Sequence, residues 1–254
     1  MSSYRLDTLT GHPLIYAHRG ANKDSPENTL SAFKLARQQG ADGIEMDVKL
    51  TADGEVVIMH DQTVDRTTDG HGLLRNFRLA DLRRLDAGAW FDVQFRGERV
   101  PRLAEVFETL KDTILYDVEL TNYGTPFDSL LAKVLALIHR YGLERNVMVS
   151  SFNPLNVARF RIQAPAIPGG IIALRGLPGA LSRSIVGRWF APRAVIPVYL
   201  DLTSEYIRRQ KALGRMVIPW TVNDAADMRR LVDWGVDGLI TDVPHLARKT
   251  LAGI

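Results

Sequence analysis

Glu45, Asp47 and His60 lie in the stretch DGIEMDVKLTADGEVVIMHD, residues 42–61. At its centre, Asp53-Gly54 is a two-residue turn signal between β-forming runs. With that pair as the turn, Asp47 faces His60 across a hairpin. Directly opposed residues share a face, and so do residues two apart on one strand. Glu45 therefore joins the other two on one side. Two carboxylates and an imidazole gathered in this way are costly unless a cation or a reaction uses them.

The elements around the hairpin supply further polar groups. Leu14 to Ala17 is an apolar run ending in His18-Arg19-Gly20, which reads as a buried strand with a functional loop at its carboxyl end. Ser25 to Thr29 opens a helix that runs to about Gln39 and closes at Gly40. The strand Gly43 to Val48 and the hairpin follow. Thr63 to Asp112 is less regular, with helices over Leu79 to Leu85 and Leu103 to Leu110, and reads as an excursion on one rim of the fold. Strands over 114–119, 147–150, 167–174, 194–199, 216–221 and 238–241 then alternate with helices over 127–141, 154–162, 204–213 and 225–234. Without the return arm of the hairpin this makes eight strands in βα order. Near-continuous apolar strands in that order imply a parallel sheet. Eight units in 254 residues point to a single-domain (β/α)₈ TIM barrel, with the hairpin and a short insertion after the second strand. A doubly wound open sheet is the runner-up, but no G-x-G-x-x-G follows the first strand.

In such a barrel, chemistry gathers at the carboxyl ends of the strands. His18-Arg19, Glu45 and Asp47 with His60, Glu119, and Trp220-Thr221-Val222-Asn223 all reach that end. Three carboxylates without cysteine form a hard, oxygen-rich set that suits Mg²⁺ or Ca²⁺, with Mn²⁺ also compatible. Two histidines suit acid and base work near neutral pH. An arginine beside a histidine offers a fork for phosphate, or a brace for the carboxylates. Phe152 and Trp220 are candidates for lining a substrate pocket. Asp117 shares the face of Glu119 and reads as a supporting residue, and Asp61 as an orienter of a histidine or of the hairpin.

Composition narrows the alternatives. The chain has no cysteine, so thiolate nucleophiles, disulfides and Cys-based zinc sites are excluded. It is 46% hydrophobic and 24% charged, which fits a globular protein. No aromatic-interleaved basic tract marks a nucleic-acid partner. The first twenty residues contain no apolar core of a signal peptide, and no run of eighteen apolar residues suggests a membrane span; a cytoplasmic location is the expectation. The mild positive charge, +3, suits a phosphate-bearing small substrate. Arg175 to Arg193, RGLPGALSRSIVGRWFAPR, mixes Leu181, Ile185, Val186, Trp189 and Phe190 with Arg183 and Arg188. It fits either a helix packed on the barrel or a basic amphipathic lid for peripheral membrane contact or a lysophospholipid chain.

Several segments together make a specific match. AHRGA (17–21), PENTLSAF (26–33), GADGIEMDVKLTADGEVVIMHD (40–61), DRTTDG (65–70), DVEL (117–120), SSF (150–152), WTVN (220–223) and DGLITDVP (237–244) resemble the glycerophosphodiester phosphodiesterase family in order and spacing. The resemblance spans Ala17 to Pro244 and is most specific in its first three segments. It implies a metal-dependent barrel hydrolase that converts glycerophosphodiesters to glycerol 3-phosphate and an alcohol. Residue by residue, it implies His18 and His60 as the acid–base pair. It implies Glu45, Asp47 and Glu119 as ligands of one divalent cation, and Arg19 as a phosphate contact. Thr121 departs from the family, which commonly has a lysine there, so charge neutralisation shifts to Arg19, the metal or a basic residue from elsewhere. Lysophospholipid cleavage by the same centre, and a non-catalytic phosphodiester-binding role on the same scaffold, are the alternative readings.

Overall fold

The computed structural model describes residues 12–176, 179, 180, 184 and 193–252. Its strands are β1 (Leu14–His18), β2 (Gly43–Leu50), β3 (Val56–Ile58), β4 (Leu115–Leu120), β5 (Val147–Ser151), β6 (Gly169–Ala173), β7 (Ala194–Pro197), β8 (Met216–Val217) and β9 (Gly238–Thr241). The described helices are α1 (Leu30–Gln38), α2 (Leu79–Leu82), α3 (Leu103–Leu110), α4 (Leu130–Tyr141), α5 (Pro154–Gln163), α6 (Ser204–Ala212), α7 (Ala225–Asp233) and α8 (Pro244–Leu251). Eight strands run parallel in the order β8-β7-β6-β5-β4-β2-β1-β9, and β3 pairs antiparallel to β2. The remaining gap between β8 and β9 is spanned by Asp237 N–H to Val217 O at 3.0 Å and Ile240 N–H to Pro219 O at 2.9 Å. The result is a nearly closed (β/α)₈ barrel. No helix among the described residues is long and apolar enough to cross a membrane.

Strand alternation explains both layers of packing. On β2, Ile44, Met46 and Val48 point outward into a core shared with Phe33, Ala36, Val106 and Phe107. Glu45, Asp47 and Lys49 take the other face. The lower interior is filled by Leu14, Tyr16, Leu115, Met148, Ile172, Ile196, Ile218 and Ile240, so the polar residues sit on an apolar floor. Gly43 makes room for that floor: a Cβ there would lie 2.4 Å from the Tyr16 ring, its parallel partner on β1.

The hairpin departs from the expected register. Val48 pairs with Ile58 and Leu50 with Val56, and Met59 N–H donates to Asp47 O at 2.9 Å. Asp47 therefore stands opposite Met59, not His60. Thr51 N–H bonds Glu55 O at 3.0 Å, which makes Ala52-Asp53-Gly54 a three-residue loop with Gly54 in the left-handed region, φ +78°. A type I turn followed by a left-handed residue connects strands in this way. The extra residue shifts pairing by one position. His60 lies past the end of β3, and the loop rather than the ladder aims it.

Other differences have local causes. α1 begins at Leu30 because the Thr29 hydroxyl accepts from Ala32 N–H at 3.2 Å; Asn28, at φ +59°, is outside the helix. α2 is shorter than the expected Leu79 to Leu85, and β8 contains two residues where six were expected. α8 was not anticipated; its Arg248 bonds Asp42 at 2.7 Å. The excursion packs Val64, Leu74, Leu82, Ala87 and Val100 on Val57 and Met59 of the hairpin, which anchors the hairpin above the barrel. In Arg175 to Arg193, the residues expected to form a lid or packed helix (Leu181, Arg183, Ile185, Val186, Arg188, Trp189 and Phe190) lie outside the described residues.

Gly54→Ala is expected to cost about 1–2 kcal/mol, because a side chain at positive φ is strained. A thermal melt should then show a fall in Tm of a few degrees. An unchanged Tm would contradict the three-residue turn.

Candidate active site

Neighbouring strands bring the acidic residues together. In the parallel register, Glu45 stands beside Asp117 and Asp47 beside Glu119. One oxygen each from Glu45, Asp47 and Glu119 lies within 4.8 Å of the others. All three are buried. Burial raises Glu45 and Glu119 well above the usual carboxylate range, and the charge of Asp47 raises both further. Three desolvated carboxyl groups at this spacing repel one another unless a cation or protons intervene. The donor set is all oxygen, and its compactness fits a divalent hard cation.

The surroundings hold each carboxylate in place. Arg19 N–H donates to Glu45 Oε2 at 3.0 Å. Asn28 Nδ2 donates to Asp47 Oδ2 at 2.9 Å, and Arg19 Nε lies 3.3 Å from that same oxygen. The Tyr123 hydroxyl donates to Glu119. Arg19 has φ +56°, which turns its backbone N–H toward Glu45 while its side chain reaches Asp47 and Glu27, the latter at 3.0 Å. It therefore braces carboxylates and also lines the pocket. Asp117 is fully buried beside Glu45 and one layer below Glu119, and neither of its oxygens has a hydrogen-bond partner among the described residues. Burial pushes it up to about 7, partly offset by the Ser150 hydroxyl.

The two histidines come from different elements, the end of β1 and the loop after β3, and each has an aspartate on its Nδ1. His18 Nδ1 is 2.7 Å from Asp242 Oδ1. Asp242 also accepts from Asn22 Nδ2 and Asn223 Nδ2, each at 2.7 Å. Burial opposes ionisation of Asp242, but His18 and these amides hold it well below the usual range. His60 Nδ1 is 2.6 Å from Asp61 Oδ1, and Arg66 bonds the Asp61 carboxylate through Nε at 2.7 Å and a terminal nitrogen at 3.0 Å. Arg66 holds Asp61 well below its ordinary value. Arg66 also forks onto Glu27 with two 2.8 Å bonds. In each histidine Nδ1 is engaged, which leaves Nε2 for a reacting group.

His18, Arg19, Glu45, His60, Asp117 and Glu119 line one pocket of about 120 Å³. Phe152, Trp220, Ile172, Ile196 and Ile240 form its apolar wall. The Phe152 and Trp220 rings meet edge-on at 5.4 Å, and Tyr123 meets Phe152 at 5.9 Å. The eight residues singled out by sequence thus fall in or immediately beside this pocket, Asp47 through its partners Asn28 and Arg19. A larger depression at Arg83, Arg96 and Arg99 lies away from the carboxylates; there Arg83 is paired with Glu105 at 2.6 Å.

Sequence reasoning missed Asn28, Tyr123, Asp242 and the Glu27–Arg66 brace. Asp242 had a readable signal: it follows the last apolar strand, which neighbours the first in a closed barrel. Asn28 had none beyond its place in PENT, since its role depends on a positive φ.

A family model described as the glycerophosphoryl diester phosphodiesterase family matches residues 18–246. The glycerophosphodiester phosphodiesterase of Caldanaerobacter subterraneus subsp. tengcongensis is 39% identical over 233 residues, covering 91% of this chain and 95% of that protein. A glycerophosphodiester phosphodiesterase of Bacillus subtilis is 31% identical, covering 94% and 87%. Among solved structures, the glycerophosphodiester phosphodiesterase of Agrobacterium tumefaciens is 34% identical with a TM-score of 0.82, covering 93% of this chain and 99% of that one. A phosphodiesterase of Oleispira antarctica, in complex with its product sn-glycerol-3-phosphate, is 28% identical with a TM-score of 0.87, covering 95% and 98%.

Asp242→Asn removes a carboxylate that is ionised more readily in the fold than in the unfolded chain. Such a group stabilises above the unfolded aspartate pKa of about 3.9, and the stabilisation disappears as pH falls through the lower folded value. The variant should therefore melt a few degrees below wild type at pH 7, with the gap closing toward pH 2. A gap independent of pH would contradict the His18–Asp242 pairing.

Proposed function

The chain belongs to the glycerophosphoryl diester phosphodiesterase family, and we propose that it hydrolyses glycerophosphodiesters to sn-glycerol 3-phosphate and an alcohol. The reaction uses His18 and His60 as an acid–base pair, with a divalent cation, Mg²⁺, Ca²⁺ or Mn²⁺, on Glu45, Asp47 and Glu119. The observation that carries this reading is the convergence of both histidines, Arg19, Glu45 and Glu119 on one pocket. The product held by the Oleispira antarctica phosphodiesterase supports glycerol 3-phosphate as the retained half.

A bound divalent ion supplies Lewis-acid stabilisation of charge developing on the phosphoryl oxygens. Arg19 adds a guanidinium at the same pocket. One histidine takes a proton from the nucleophile, which is either water or the glycerol 2-hydroxyl; the second route passes through a cyclic phosphodiester that water then opens. The new P–O bond forms as the bond to the leaving alcohol breaks, and the other histidine donates a proton to that oxygen. Asp242 and Asp61 keep each imidazole turned toward the pocket and favour its protonated form during transfer. The apolar wall of Phe152, Trp220, Ile172, Ile196 and Ile240 favours one second reading, a lysophospholipid whose less polar part lies on that side.

The test is release of glycerol 3-phosphate from glycerophosphocholine, glycerophosphoethanolamine and a lysophospholipid by chelator-stripped protein, before and after return of each ion. Activity that appears only with an ion supports the proposal; none with any ion and substrate refutes it. His18→Ala and His60→Ala should each lower turnover by roughly 10²-fold or more. Near-normal turnover in either would remove that histidine from the mechanism. Glu45→Gln should raise the concentration of ion needed for half-maximal activity, as titration of the metal would show.

A further inference from the structure

Beside the acid–base pair, the carboxylates and Arg19 stands a buried cation that the mechanism leaves without a task, Lys49. Lys49 projects from the same face of β2 as Glu45 and Asp47. Continuing the β2–β4 register past Asp47 and Glu119 puts Lys49 beside Thr121, one layer above the carboxylates. Lys49 Nζ donates to Thr121 Oγ1 at 2.6 Å. The Thr121 hydroxyl spends its own proton on Val48 O at 2.8 Å, so it presents a lone pair to the ammonium.

That hydroxyl satisfies only one of the three donors of an ammonium. No carboxylate among the described residues lies within ion-pair distance of Lys49 Nζ, and Lys49 is only 7% exposed. A buried cation in this condition is costly until an anion joins it. It borders open space: Lys49 and Thr121 line a groove of about 470 Å³ with Gln62, Arg75, Tyr123 and Asp128, a depression distinct from the pocket that the histidines line. Tyr123, through its bond to Glu119, is common to this groove and to the carboxylate cluster.

Position indicates which anion. Asp47, Glu119 and Asp61 act on Lys49 electrostatically, but none of them is an ion-pair partner, and Arg19 is shared between Asp47 and Glu27. A phosphodiester held by a cation on the carboxylates would bring its negative charge to the layer in which Lys49 stands. Resting on the glycerophosphodiester reading, we infer that Lys49 binds the phosphoryl group of substrate and product, with Thr121 as the seat that holds its ammonium above the carboxylates. The neutralising charge thus comes from β2, and the hydroxyl on β4 positions it.

The test is the Kd for sn-glycerol 3-phosphate, by calorimetry on metal-loaded protein, alongside turnover. Lys49→Gln should weaken product binding by roughly tenfold or more, the scale of a lost hydrogen bond to a charged group, and lower kcat/KM. Lys49→Arg should keep most of the affinity. The double variant Lys49→Thr with Thr121→Lys returns an ammonium to the same layer from the neighbouring strand and should recover binding that Lys49→Gln loses. A folded Lys49→Gln with unchanged Kd would overturn the inference. So would tighter metal binding with unchanged Kd, the signature of a lysine that only offsets carboxylate charge. If Lys49→Gln does not fold, the double variant decides: folded without product binding overturns the inference, and folded with binding supports it. Wild-type hydrolysis combined with an unaffected Lys49→Gln would remove Lys49 alone. A wild type that neither hydrolyses glycerophosphodiesters nor binds glycerol 3-phosphate would overturn both readings.

Discussion

Three carboxylates forced together out of water set the terms for the rest of the upper barrel. Glu45, Asp47 and Glu119 come from two adjacent parallel strands, so the sheet register fixes their spacing. The apolar floor beneath them deprives them of solvent, and burial together with mutual repulsion drives Glu45 and Glu119 toward protonation. Backbone and side-chain donors from the β1–α1 loop offset part of this cost, through Arg19 N–H and Asn28. A hard divalent cation is the group that would satisfy the remainder. The loop adopts positive φ at Arg19 and Asn28 where it delivers those donors, so local backbone strain accompanies the electrostatic demand.

The histidines are supported differently, and the difference follows from where they are attached. His18 ends a barrel strand, and its aspartate immediately follows the neighbouring strand β9, so rigid elements set the pair. His60 follows a three-residue strand on an excursion, and its side chain is 42% exposed. Its position depends on a chain of ion pairs, Asp61 to Arg66 to Glu27 to Arg19, that ties the hairpin back to the β1–α1 loop. Arg19 is therefore a junction: it touches the carboxylate cluster and anchors the network behind the loop that carries His60.

The hairpin illustrates how far pattern reading reaches. Asp53-Gly54 marked a turn correctly, and Glu45, Asp47 and His60 do converge on one site. The route was different. A left-handed Gly54 closes a three-residue loop, the ladder shifts by one residue, and Asp47 faces Met59. On an uninterrupted ladder that slip would have turned His60 away from Asp47. It does not do so because the ladder ends at Ile58, and the loop beyond redirects the side chain. The turn type depends on backbone angles that the dipeptide alone leaves open.

The sequence by itself determined the βα alternation, the eight-strand count, the hard-donor character of the site and the residues that carry it. Those properties follow from hydrophobic periodicity and from side-chain chemistry, both of which are local. The tertiary structure decided what depends on register and closure. It brought Asp242 to His18 across 224 residues, turned Asn28 onto Asp47, and set Lys49 against Thr121 on the next strand. A lone aspartate, asparagine or lysine carries no signal of its partner, because the pairing exists only once neighbouring strands align and the barrel returns its last strand to its first.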